Sequence, residues 1–114
     1  MEIQTITFEM NDQDIEQGKR LDSHDCPVAR LICRTIDPCP AEVEVCADFI
    51  YLRAFKPVQG QPSGVMIDLD VDSPMITPLD QKAILQFLNL FDGGEVPAPI
   101  RFRLTLPRYF GNKV

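Results

Sequence analysis

Most familiar signatures of enzyme chemistry are missing from this chain of 114 residues. It has no phosphate-cradling glycine loop, dinucleotide fingerprint, serine elbow or HExxH pair. One histidine, His24, leaves little material for general base chemistry. No Cys-x2–4-Cys or His-x3–5-His knuckle is present, so the spacing argues against a conventional structural zinc site. Basic excess is lacking too. The net charge of −6 opposes nonspecific binding to nucleic acid or anionic membranes. No apolar run approaches the ~20 residues of a membrane span. The start, MEIQTITFEM, lacks a basic stretch followed by an apolar one, so no signal peptide is expected. These absences predict a cytoplasmic protein with no cofactor and no membrane association. In that compartment Cys26, Cys33, Cys39 and Cys46 are expected as reduced thiols.

What is present describes an ordinary globular domain. The apolar fraction is 45% and the charged fraction 25%. Residues 1–114 are expected to form one domain with its own core. The clearest stretch is 77–107. Thr77 reads as an N-cap with Pro78 at the first helical position and Asp80 in the first turn. Ala83, Ile84, Phe87, Leu88 and Phe91 recur at helical spacing, with Asp80, Gln81, Gln86 and Asn89 mostly off that stripe. Gly93 and Gly94 supply the stop. Ile100, Phe102 and Leu104 then alternate with Arg101, Arg103 and Thr105, so the strand turns its arginines to solvent.

Upstream, residues 3–8 read as a strand. Asn11 caps a short helix with Asp14 at its third position and Gly18 at its end. Residues 19–25 are polar and read as a loop. Cys26 or Asp25 caps a second helix starting at Pro27. Val28, Ala29, Ile32, Cys33 and Ile36 share one face of it, and Arg30 and Arg34 the other. Asp37-Pro38 ends it. Residues 42–55 form one bent strand or two strands joined near Asp48. Residues 56–64 form a flexible loop, 65–71 a strand with Val65, Ile67, Leu69 and Val71 on one face, and 108–114 a tail. The order β-α-α-β-β-β-α-β predicts an α+β fold. A mainly antiparallel sheet of four to five strands is expected, with the two main helices packed on one face.

Three constellations carry candidate chemistry. Cys26 at a helix start, two residues from His24, has the ingredients of a thiol nucleophile and base, because a helix N-terminus stabilises a thiolate. The same pair, with the other cysteines, offers ligand types for a metal. The favoured reading is a Cys26 packed at the start of its helix. Asp68, Asp70 and Asp72 lack the glycine and glutamate of a calcium loop. They read as the solvent face of a strand, able to pair with Arg101 and Arg103 if those strands are neighbours. Arg101, Arg103, Arg108, Tyr109 and Phe110 combine charge with aromatic rings, a pattern that suits single-stranded nucleic acid. Given the acidic balance, a solvated strand edge and tail is the simpler account.

Two stretches together resemble a known group. Residues 14–20 (DIEQGKR) followed by Cys26-Pro27-Val28-Ala29, and later FDGGEVPAPIRF up to Phe102, are similar to a group of small uncharacterised phage and bacterial proteins. Members carry a "dI-x-x-G-x-R…CPvA" start and an "FI-x-x-FD-x-G-x-P-v-x-PF-x-F" end. This chain departs by a longer 39–75 segment and by Ile100 where the pattern often has Phe. The resemblance implies a phage-like or mobile-element accessory protein and no assigned catalytic residues. With the missing motifs, it favours a protein acting by protein–protein interaction. The sheet edge, the 56–64 loop or the Arg101, Arg103, Arg108 and Tyr109 surface would supply the contact. A homodimer through an open sheet edge is compatible with this reading. The alternatives are a thiol enzyme or redox sensor on Cys26 with His24, and a single-stranded nucleic-acid binder.

Overall fold

The computed structural model describes residues 2–56 and 58–111. The elements run β1 (Ile3–Glu9), α1 (Asp12–Gln17), α2 (Pro27–Thr35), β2 (Glu42–Val45), β3 (Phe49–Arg53), β4 (Gly64–Asp68), α3 (Pro78–Asp92) and β5 (Arg101–Pro107). The α+β class and the element order are those expected. The strands divide between two antiparallel sheets: a ribbon of β1 and β5, and a meander β2-β3-β4. None of the described helices is long and apolar enough to cross a membrane.

Local chemistry sets the helix starts. Asn11 closes a capping box with Asp14, Cys26 Sγ accepts from the Ala29 N–H, and Thr77 accepts from the Asp80 N–H. The end of α3 is finished from elsewhere in the chain. Arg20 Nε donates to the Phe91 carbonyl at 2.8 Å, and its guanidinium lies 4.8 Å from the Phe91 ring centre. Leu21 N–H donates to Asp92 Oδ1 at 2.9 Å. The 19–25 loop is thus fastened to the C-terminus of α3.

The alternation in β5 buries Phe102, Leu104 and Leu106 and exposes Arg101 and Arg103. Phe102 stacks on Phe8 across the ribbon, with ring centres 5.1 Å apart. Behind these strands lies one core, to which α2 brings Val28, Leu31 and Ile32 and α3 brings Ile84, Phe87 and Phe91. Helix α2 packs on β1 and β2, and α3 on β5.

Four local expectations need correction. Strand β4 ends at Asp68, so Asp70 and Asp72 lie in the following bend and Val71 is exposed. The cause is Gln81, which is buried. Its side-chain amide donates to the carbonyls of Asp68 and Val71, folding that segment over α3. The acidic row therefore does not meet the arginines: β4 pairs with β3, and Arg101 faces Glu9 across the ribbon. Cys33 and Cys39 form a disulfide and are not free thiols. The chain reverses through Asp37–Pro40 directly after α2, which brings their Cα atoms to 4.9 Å, within disulfide reach. Finally, the start of the 108–114 tail is docked. Phe110 is buried and the Tyr109 hydroxyl donates to the Pro62 carbonyl, tying this segment to the 56–64 loop. Residues 112–114 of that tail and Pro57 of that loop lie outside the described residues.

Candidate functional site

Cys26 and His24 are near in sequence but line different concavities. Cys26 is only 3% exposed, and burial pushes its thiol up to about 11, against hydrogen bonds from the Ala29 and Val28 N–H groups. The helix start lowers a thiol pKa, but loss of water around a buried charge outweighs it here. The packing role is the one the geometry favours. Cys46 is the other free thiol, half-buried, and it too is raised, by burial and then by Glu44 and Asp48.

Asp14, Gly18, Arg20, Pro27 and Phe91, which lie in the stretches quoted for the resemblance, meet one another or their neighbours Arg34 and Leu21. Arg34 holds Asp14 through two hydrogen bonds of 2.9 and 2.7 Å and donates to the Glu9 carbonyl at 2.8 Å. That carboxylate, nearly buried, keeps the Arg34 guanidinium above its usual pKa. Gly18 passes so close to Pro27 that a Cβ there would lie 2.6 Å from the proline ring. Arg20 and Leu21 meet the Phe91–Glu95 turn. These contacts join α1, α2 and the end of α3.

The Arg101, Arg103, Arg108 and Tyr109 surface is also partly engaged. Arg101 lies 3.7 Å from Glu9 and Arg108 3.9 Å from Glu2, both pairs well exposed. Such pairs are worth about 0–1 kcal/mol. With Phe110 buried against Tyr109, one of the two rings needed for base stacking is withdrawn.

Two features were not visible in the sequence. The first is a cleft of about 600 Å³ between α1, α2, the 37–41 turn and β2. Arg30, Arg34, the Cys33–Cys39 disulfide, His24 and Glu42 line it. His24 sits at its rim, on a loop fixed by the Arg20 anchor and by the Val45 N–H donating to the Ser23 carbonyl at 2.8 Å. Glu42 and Glu44 project beside it from β2, and one donor atom from each of His24, Glu42 and Glu44 falls within 4.8 Å of the others.

The second is the outer edge of β1. Glu2 accepts from Arg108 and Met10 donates to Ile100, so even-numbered positions bond to β5 and odd-numbered ones point away. Glu9 O is taken by Arg34. The N–H and C=O groups of Ile3, Thr5 and Thr7 have no partner among the described residues. A groove of about 440 Å³ lies along this edge between Thr7, Glu9, Arg34 and Thr35.

No family model matches this chain, and neither a curated protein nor a solved structure matches it.

Proposed function

We propose that this chain is an interaction protein that takes an extended segment of a partner protein as a further strand on β1. The observation that supports this reading is the open edge at Ile3, Thr5 and Thr7. Long edge strands are normally blunted by charge, proline or a bulge. Residues 3–8 (IQTITF) carry neither a charge nor a proline, and Ile3 is 62% exposed. Strand addition draws affinity from main-chain hydrogen bonds and specificity from pockets for alternate side chains. Here the groove beside Thr7 and Arg34 offers such a pocket. The partner segment would supply carbonyls to the Thr5 and Thr7 N–H groups and an apolar residue against Ile3. A phage-like accessory role agrees with this reading by resemblance.

The test is a photo-crosslinking side chain at position 7 in extracts of the native source. The reading expects an adduct with one partner protein. That adduct is lost in Thr5→Pro, which removes an outward N–H that has no partner among the described residues, and kept in Arg101→Glu. An adduct indifferent to Thr5→Pro would sink the proposal. An adduct with a second copy would redirect it to self-association.

A further inference from the structure

Glu42 and Glu44 stand two residues apart on β2, so the strand period sends both carboxylates to one face. The 19–25 loop is laid beside that face and held at both ends, which fixes where His24 stands. His24 N–H donates to Asp22 Oδ1 at 3.0 Å within the loop itself. We propose that His24, Glu42 and Glu44 bind a divalent first-row transition ion, zinc being the type case, with open coordination positions turned toward the cleft.

Four observations carry this. His24 Nε2 lies 3.5 Å from Glu42 Oε2, longer than the usual N–H···O hydrogen bond. Zinc bonds of about 2.0–2.2 Å at tetrahedral angles place donor atoms roughly 3.3–3.6 Å apart, which matches that pair. The imidazole is oriented for the task, since Nδ1 faces Ser23 Oγ at 3.3 Å and leaves Nε2 to the carboxylates. An outer partner on the far ring nitrogen is the usual support for a metal-binding histidine. Glu42 is held likewise: its other oxygen lies 3.6 Å from Arg53 Nε. The donor set also discriminates. Two carboxylates balance a dication, and an imidazole favours transition ions over calcium or magnesium, which prefer oxygen alone. Three protein ligands leave at least one position for an exchangeable ligand, the pattern of a working rather than a structural site.

The site is independent of the β1 edge and can be tested without any partner. The full chain, stripped of metal with its disulfide intact, is titrated with zinc chloride by calorimetry. The signal of its one imidazole is followed by NMR. The expected result is one ion per chain with that imidazole signal shifting in step. Glu44→Gln, a near-isosteric change on the surface, and His24→Ala each remove a proposed ligand and should each weaken binding by more than the roughly 10–100-fold that loss of an outer partner costs. Cys46→Ser should leave it unchanged. Absence of saturable binding overturns the proposal. So does zinc uptake that survives both His24→Ala and Glu44→Gln, or that is lost in Cys46→Ser.

Discussion

The ribbon of β1 and β5 has two outer edges, and they are finished in opposite ways. On β5 the outward N–H of Thr105 donates to the Met75 carbonyl at 2.7 Å, and that of Arg103 to Asp80 Oδ2 at 3.2 Å. The segment before α3 and its first turn thus take both of these N–H groups. On β1 only the Glu9 end is closed, by Arg34, and the backbone of Ile3, Thr5 and Thr7 faces outward unpaired among the described residues. The strands are equally long, but β5 buries Phe102, Leu104 and Leu106 on its inner face where β1 fully buries only Phe8. What differs at the edges is that two outward N–H groups of β5 are taken, whereas those of Ile3, Thr5 and Thr7 are unpaired among the described residues.

The strongest way to break this contrast is to put the same residue on both edges. Thr105→Pro deletes a donor that the fold uses and should cost about 3 kcal/mol. Thr5→Pro deletes one that has no partner among the described residues and should cost less than about 1 kcal/mol, as proline on a free edge does. Urea unfolding of the two variants compares them directly, and equal losses would show that the β1 edge is closed after all.

High pH provides a perturbation that loads neither edge. The Cys26 thiol is raised from 9.0 to about 11 in the folded chain. The unfolded chain ionises first, so the stability from this group is complete below about pH 9 and declines toward pH 11. The loss is about 2–3 kcal/mol and should be absent from the pH slope of Cys26→Ala. Through that decline Thr105 amide exchange should track global stability, whereas Thr5 and Thr7 amides should exchange fast throughout.

Arg34→Met opens the last closed part of the β1 edge and strands the nearly buried Asp14. A loss of about 1–3 kcal/mol in thermal unfolding is expected. Asp80→Asn weakens only the Arg103 contact on β5 and the helix-end charge, for about 1 kcal/mol or less, again read by thermal unfolding.

What the sequence revealed follows from the range of the interactions. The caps at Asn11, Cys26 and Thr77, the stops at Gly18 and Gly93, and the alternation of Phe102 and Leu104 are local patterns, and all appear in the structure. The missing parts depend on residues far apart. Nothing near Gln81 signals that its amide will terminate β4, and nothing near Arg20 signals a cap for α3. The disulfide was hidden because Cys33 falls on an apolar helical face, and only the Asp37–Pro40 reversal returns Cys39 to it. The His24, Glu42 and Glu44 cluster joins a loop to a strand eighteen residues on, across α2, with no motif spacing to announce it. The β1 edge needed the pairing register before its free groups could be counted.

The pairing of the first strand with the last also orders events in time. The Thr5 and Thr105 hydroxyls meet at 3.2 Å across 100 residues of sequence. On a growing chain, β1 is made before the other four described strands and is the last of the five to find its neighbour. The capped helices α1, α2 and α3 and the β2-β3-β4 meander rest on nearer contacts and can assemble sooner. Closure of the ribbon is therefore the step with the greatest loop-closure cost, the kind that slows folding in general. Until residue 107 is synthesised, β1 lacks its strand partner, and a chain interrupted before β5 would leave both edges of β1 without one.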